Sequence, residues 1–534
     1  MRNAVIACFI LACLTTIVFI QVVSFDFVNH DDDAHVYQNA TTQQPISPNS
    51  IAAVFQSTLI GHYIPITGLT FLLDYQLYGL SPGGYHLSNL FFHIANVLLL
   101  FAFLFTSTRQ LWPSLLAAAL FAIHPLHVES VAWISARKDL VSTFFFLLAL
   151  LSYSAYTKRP RMSPYLITML LFLLGLLSKS ILVILPFALL LLDIWPLRRI
   201  DSINLHSKET WLTIRKLIVE KTPFFAVAIT FSVAAATTAY RSGAMPTTSD
   251  LPIAHRIQSA CVSYVIYLWK TIWPADLIAH YPYNTEPFPP LTVLGAAAFL
   301  IMLTAIAVYM TRSRPYLIVG WLLYLGTLLP VIGLLQAGSQ SMADRYTYLA
   351  LIGIFIALAW AADDIVKRLP RLKHALPAAC SIIVILLAGA AYRQTAYWRD
   401  SETLFAHVIE VDPVNVLAQN KMGSALLVTG DLARAVTHIE IALDLNPDDT
   451  TALINLGAAH LMQDRYTEAL VPLRRALELD PEDEVTQLNL GIALYALGDI
   501  DSARVHVREA LRLDPSYQRA QQFLQVLETT SPPP

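Results

Sequence analysis

Two short stretches of this chain concentrate the residue types that acid–base and anion chemistry need. The first is Phe27-Val28-Asn29-His30-Asp31-Asp32-Asp33, just after an N-terminal apolar run. Three adjacent carboxylates repel one another and stay solvated unless a cation or a substrate neutralises them. The second is His124-Pro125-Leu126-His127-Val128-Glu129-Ser130, followed by Ala136-Arg137-Lys138-Asp139. Lys179 and Asp344-Arg345-Tyr346 add further charge at the ends of other apolar runs. A carboxylate can take a proton from a hydroxyl. Several fixed cations at the edge of a membrane can hold an anion such as a lipid phosphate. A single such cation would read as a snorkelling side chain; four together read as a site.

His62, Tyr63 and His86 lie in the loop and helix start between those stretches, and with His124, Asp344 and Tyr346 they are further pocket candidates. The histidines do not stand in a zinc-hydrolase spacing, and no metal site is assigned. Cys8, Cys13, Cys261 and Cys380 all fall in apolar stretches without a CxxC pair, which excludes a disulfide framework or a zinc ribbon. Asn39-Ala40-Thr41 is a glycosylation sequon, meaningful only in a eukaryotic secretory compartment.

The elements that must position these residues are membrane helices. Of 534 residues, 56% are hydrophobic and 14% charged, and the mean hydropathy is +0.54. A soluble domain carries about 25% charged residues, so lipid must cover much of this chain. The net charge of −3 gives no pull toward nucleic acid. Apolar runs predict eleven spans, near 4–24, 88–106, 112–125, 139–157, 163–178, 180–196, 223–240, 291–311, 316–334, 347–362 and 375–392. The first is expected to be retained, since no small-residue cleavage site precedes Phe25.

With eleven spans, Arg2, Arg109, Lys158-Arg159-Pro160-Arg161, Arg198-Arg199, Arg312 with Arg314, and the basic run 367–373 share one side, which is the cytoplasmic one. The loops 25–87, 126–138, 241–290 and 335–346, the turn near 179 and everything after 392 then lie outside. The run 256–273 is long enough to span but would break this parity, so it is read as an interfacial or re-entrant helix.

After about residue 400 the chain becomes charged, amphipathic and periodic. Pro413, Pro447, Pro481 and Pro515 are 34 apart, as are Gly423, Gly457 and Gly491, and Ala435, Ala469 and Ala503. That is the tetratricopeptide period. Full repeats are expected at 416–449, 450–483 and 484–517, with helices 399–411 and 518–528 capping the stack. The chain is therefore all-α: a membrane domain over 1–395 and an extracytoplasmic α-solenoid over 396–534.

These residues, taken in order, resemble the TMTC-type O-mannosyltransferases and their bacterial relatives, multispan glycosyltransferases of the GT-C superfamily with C-terminal tetratricopeptide repeats. The resemblance runs through Phe27-Val28 with Asp31-Asp32 and Asn39, His62-Tyr63-Ile64-Pro65-Ile66-Thr67, and Gly84-Tyr85-His86-Leu87-Ser88-Asn89 with His93. It continues through 124–132 with Arg137, Lys138 and Asp139, Leu177-Ser178-Lys179, and 342–348. Ile64 stands where the family often has Arg or His, and Ser180 where animal members often have Glu.

The resemblance implies transfer of a sugar, mannose or similar, from a polyprenyl-phosphate carrier to an acceptor hydroxyl, of a Ser or Thr in a protein, on the outer face. Asp31 or Asp32 would take the hydroxyl proton. Arg137, Lys138, Lys179 and Arg345 would stabilise the leaving phosphate, with Glu129 orienting a cation or binding the sugar and His127 donating to sugar or phosphate. Single displacement would invert the anomeric carbon. A divalent metal is compatible with some GT-C enzymes but is not expected here. The repeats would hold the acceptor peptide. Short loops and a compact repeat array favour a bacterial plasma membrane over an endoplasmic reticulum. A scaffold that uses its repeats to bind a partner is the rival reading, but it leaves the loop charges unexplained. A lipid-sugar flippase is a third, and it requires ionisable residues buried at mid-membrane.

Overall fold

The structure, a computed structural model, describes residues 2–200, 208–241, 252–283, 287–334 and 340–529. The chain divides into two compact units, Met1–Asp400 and Ser401–Pro534. Among the described residues both are mainly helical; the β structure is a two-stranded antiparallel pairing of Tyr281–Pro282 with Gln340–Met342 and an isolated bridge between Leu59 and His62.

In the first unit seven helical stretches are long and apolar enough to cross a membrane: Arg2–Ser24, Pro82–Thr108, Ile134–Lys158, Lys208–Thr238, Pro290–Tyr309, Asp344–Arg368 and Ala375–Ala396. Leu111–Ile123 and Pro125–Ala132 form a pair bent by 56° that qualifies jointly, and Met162–Leu176, Ser180–Ile194 and Pro315–Leu328 are shorter apolar helices. Each of the eleven expected spans falls on one of these. The stretch 256–273 forms the helix Ile253–Ile272, which is not among the helices apolar enough to span. The expected loops 241–290 and 335–346 lie partly outside the described residues.

Composition does not decide which helices are central. Leu111–Ile123 is buried along nearly its whole length, whereas only 6% of the apolar window of Ala375–Ala396 and 11% of that of Pro290–Tyr309 are covered by protein. A helix apolar on every side can occupy either place, because lipid replaces the missing protein contact. Pro315–Leu328 and Thr347–Arg368 pack backbone to backbone, since a Cβ on Gly320 or Gly353 would collide with the other's carbonyl oxygen. Gly353→Val is therefore expected to destabilise the membrane unit by about 1–3 kcal/mol through overpacking. A lowered melting temperature of the detergent-purified protein checks this; an unchanged one contradicts the packing.

The first loop holds two helices that the sequence reading left out, Pro48–Gln56 and Pro65–Tyr78. The first carries a full capping box, Ser47 and Ser50 each bonding the other's backbone N–H.

Tyr153, Asp193, Arg199, Glu220 and Lys221 form a second polar layer. Arg199 donates to Glu220 at 2.8 Å from both Nη1 and Nη2, and Lys221 pairs with Asp193 at 2.6 Å, both side chains wholly buried. This layer meets Asp193, at the last turn of Leu185–Ile194, while Lys179 precedes that stretch. The 3-10 turn Ser180–Ile184 and the helix Leu185–Ile194 together span about 25 Å, so the chain carries charge at the two ends of a bundle and an apolar middle.

The second unit stacks helix pairs. The inner-pair glycines Gly423, Gly457 and Gly491 sit against Ile439, Leu473 and Val507, where a Cβ has no room. Asn415, Asp431, Asp449, Asp483 and Asp499 cap the helices that follow them. The second helix of each repeat ends at Leu445, Leu479 or Leu513, two residues before the periodic proline. The caps are Ser401–Val411 and Gln518–Thr529.

Candidate active site

Lys138, Lys179 and Arg345 reach one place from three different spans. Lys138 is in the first turn of Arg137–Lys158. Lys179 is the residue before Ser180–Ile184 and the helix that continues from it. Arg345 lies in the short turn Asp344–Tyr346 that opens into Thr347–Arg368. Each of these elements therefore begins at the site, with its free backbone N–H groups and positive dipole end. Lys138 feels the charges of Lys179, Asp31, Arg345 and Asp139.

Two of the three cations have a fixed partner. Lys179 forms an ion pair with Asp139. Arg345 forms one with Glu129, whose other oxygen accepts the Arg345 backbone N–H at 2.8 Å. Lys138 is different. It is 9% exposed, and among the described residues no carboxylate comes within ion-pair distance of it. Aromatic faces flank the cluster: Arg345 lies 5.1 Å from the centroids of both Trp133 and Tyr346, Lys138 5.9 Å from Trp133, and Lys179 5.8 Å from Tyr346.

The two aspartates part company. Asp32 is wholly buried. Its Oδ1 accepts from the Ser135 hydroxyl at 2.6 Å and the Ser135 N–H at 3.0 Å, and its Oδ2 from the Val28 N–H at 3.1 Å. It ties the first loop to the turn Ile134–Ala136. Burial pushes its carboxyl up to about 7 despite those bonds.

Asp31 instead faces His30, Lys138, His35 and Arg345. Burial alone would raise its carboxyl, but these groups together hold it below the ordinary carboxylate value. Its backbone is left-handed, with φ 67°. His62 is exposed and feels the charges of Lys138, Lys179, Asp31 and Arg345. Tyr63 beside it is 44% exposed.

Of the other expected pocket residues, Asp344 stays beside Arg345 and Glu129; Arg137 and the histidines at 86, 124 and 127 point elsewhere, each for a visible reason. Arg137, expected among the phosphate cations, is wholly buried and pairs with Asp74. It also donates to Asn89 Oδ1 and the Tyr85 carbonyl, both at 2.7 Å, and stacks on Phe71 at 4.6 Å. Neighbours on a helix point about 100° apart, so Arg137 and Lys138 cannot share a target. His124 meets the Thr271 carbonyl at 3.0 Å. His127, expected to donate to sugar or phosphate, meets the Phe121 carbonyl at 2.8 Å and packs against Phe121 and Tyr348. His86 is buried near the Asp26 carbonyl and against Phe25. Asp344 accepts from the Tyr281 hydroxyl at 3.0 Å.

Sequence reasoning missed Asp74, His35 and Trp133. Trp133 stacks on His30 at 4.6 Å, on Trp398 at 6.0 Å, and donates to the His30 carbonyl at 2.6 Å. Only Asp74 had a usable signal, as an acid inside an apolar helix. Among the described residues no cluster of three or more potential ligands could hold a metal ion.

Chemically, the site offers an anion seat with one cation lacking a counter-ion and two held in pairs. An ionised carboxylate stands beside it.

Tetratricopeptide-repeat family models match residues 420–484 and 460–527. The chain is 26% identical over 407 residues to Protein O-mannosyl-transferase TMTC3 of Mus musculus, covering 68% of this chain and 42% of that protein. It is 24% identical over 453 residues to Protein O-mannosyl-transferase Tmtc3 of Drosophila melanogaster, covering 71% and 48%. A shorter match to Drosophila Protein O-mannosyl-transferase Tmtc1 is 39% identical over 124 residues, covering 22% and 14%. The chain spans less than half the length of these curated relatives. It is a TMTC-like multispan helical protein, similar over about two thirds of its length to those protein O-mannosyl-transferases, with tetratricopeptide repeats at its C-terminal end.

Proposed function

We propose that this chain is a membrane glycosyltransferase that moves a sugar, mannose in the first instance, from a polyprenyl phosphate to a Ser or Thr hydroxyl of a protein. The observation that carries the reading is Lys138: a buried ammonium with no carboxylate within ion-pair distance among the described residues, beside two more cations and the Asp31 carboxylate. A buried charge left unpaired is costly, and an anionic ligand removes that cost. A lipid-linked phosphate meets the requirement, because three apolar spans begin at the seat.

In the reaction, the acceptor oxygen attacks the anomeric carbon while the carbon–oxygen bond to the phosphate breaks. Asp31 takes the hydroxyl proton. Lys138 bears the charge that develops on the leaving phosphate, with Lys179 and Arg345 beside it. Glu129 and Asp139 fix the two flanking cations. A single displacement inverts the anomeric centre. The basic clusters on the far ends of the spans argue for a non-cytoplasmic site. Short loops argue for a bacterial plasma membrane. The repeats supply the family's groove for an extended acceptor.

The test uses the full chain in nanodiscs, a labelled polyprenyl-phosphate mannose and a Ser/Thr-rich peptide. Label should move to the peptide with inverted configuration. Transfer from a nucleotide sugar but not from the lipid donor would refute the donor assignment. Peptide binding without transfer from any lipid-linked sugar would favour the scaffold reading.

A further inference from the structure

Asp31 has a left-handed backbone, uncommon for a non-glycine residue though aspartate adopts it more readily than most. The chain directly after it makes a single π-helical turn, Asp33–Tyr37, a rare conformation. In that turn, two hydrogen-bonding groups of one residue converge on the Asp31 carbonyl. The His35 backbone N–H donates to it at 2.9 Å and the His35 ring Nδ1 lies 3.0 Å from it.

A carbonyl oxygen only accepts, so Nδ1 carries the hydrogen. His35 is 1% exposed. Its Nε2 is buried without a hydrogen-bond partner among the described residues, and burial with the nearby Lys138 charge pushes the ring down to about 3. The imidazole is thus neutral, in one tautomer, with an unmatched nitrogen. If the ring only filled space against Phe71, 6.2 Å away, an apolar side chain would do so without stranding a buried nitrogen. What histidine supplies here is the Nδ1–H.

We infer that His35 is a positioning residue that clamps the Asp31 carbonyl in the π-turn and so aims the Asp31 carboxylate at the anion seat. The inference rests on the role given to Asp31 in the proposed function. His35 itself touches neither the sugar nor the phosphate.

Two variants separate positioning from packing. His35→Phe keeps a flat ring and loses the donor. His35→Asn places an amide N–H near where Nδ1–H stood. In the transfer assay, His35→Phe should lower kcat about 100-fold, the scale of a 1 Å misplacement, with KM for the lipid donor changed less than about twofold. His35→Asn should recover at least about tenfold of that loss. Wild-type kcat in a folded His35→Phe protein would overturn the inference and leave the function standing, as would equal losses in both variants with a raised donor KM. A structure of His35→Phe gives a readout that needs no activity. Asp31 should leave the left-handed region, and an unchanged Asp31 φ would overturn the clamp even if the wild-type protein transferred no sugar.

Discussion

Asp31→Asn should lower kcat by about 10²- to 10⁴-fold, the range that a positioned general base contributes, with donor binding kept. The carboxamide preserves shape and cannot take a proton. Asp32→Asn should behave differently. It disturbs a buried junction between Val28 and Ser135, so its loss should appear as lowered expression and melting temperature. The pH profile separates the two aspartates independently of folding. A base works only when deprotonated, so the rate rises as pH rises through its pKa. The Asp31 carboxyl is held below its ordinary value, so the acidic limb of kcat/KM should fall below about pH 4. A limb near pH 7 would instead match Asp32, whose carboxyl is pushed up to about 7. Kinetics at constant ionic strength distinguishes them.

Lys138→Met should cost transfer about 10²- to 10³-fold, comparable with removing one fixed donor from a developing oxyanion. The methionine keeps the length of the stem and removes the charge. The same change should move the acidic limb upward, because one of the cations that stabilise the Asp31 carboxylate is gone. Melting temperature should hold or rise, since among the described residues no carboxylate lies within ion-pair distance of this buried ammonium, and burying it costs stability. Arg137→Met predicts the reverse pattern. Its guanidinium bonds Asp74, Asn89 and Tyr85, and its removal strands a buried aspartate, so folding should fail before chemistry does. Adjacent cations with opposite phenotypes are a sharp consequence of this geometry.

Much of this architecture was legible in the sequence. Helix lengths follow from apolar runs because the bilayer sets a length, and each expected span meets a helix or the bent pair. The repeats were legible because stacking requires a small residue at a fixed place in every unit, and 423, 457 and 491 keep that period. Lys138, Lys179 and Arg345 stand out in the sequence as charges at the ends of apolar runs. What the sequence hid is the pairing. Nothing in Arg137-Lys138-Asp139 says which neighbour turns inward, because that depends on the phase at which the helix starts. Asp74 and Asp139 lie 63 and 40 residues in sequence from the cations they neutralise. The Tyr153–Asp193–Lys221 layer was hidden for the same reason: Arg199 reads as a basic cluster marking one side, and its acidic partners come from two other helices. The Asp31–His35 clamp rests on a π-turn, which leaves no periodic signature.

The central claim is that the donor's phosphate sits on Lys138, with Asp31 free to face the acceptor. The most direct measurement is a cryo-EM structure of the full chain in nanodiscs with a non-transferable polyprenyl-phosphate sugar analogue. The phosphate should lie within hydrogen-bond distance of Lys138 Nζ, between Lys179 and Arg345, with the anomeric carbon toward Asp31. A phosphate bound at the Tyr153–Asp193–Arg199 layer, or an anomeric carbon turned away from Asp31, would contradict it.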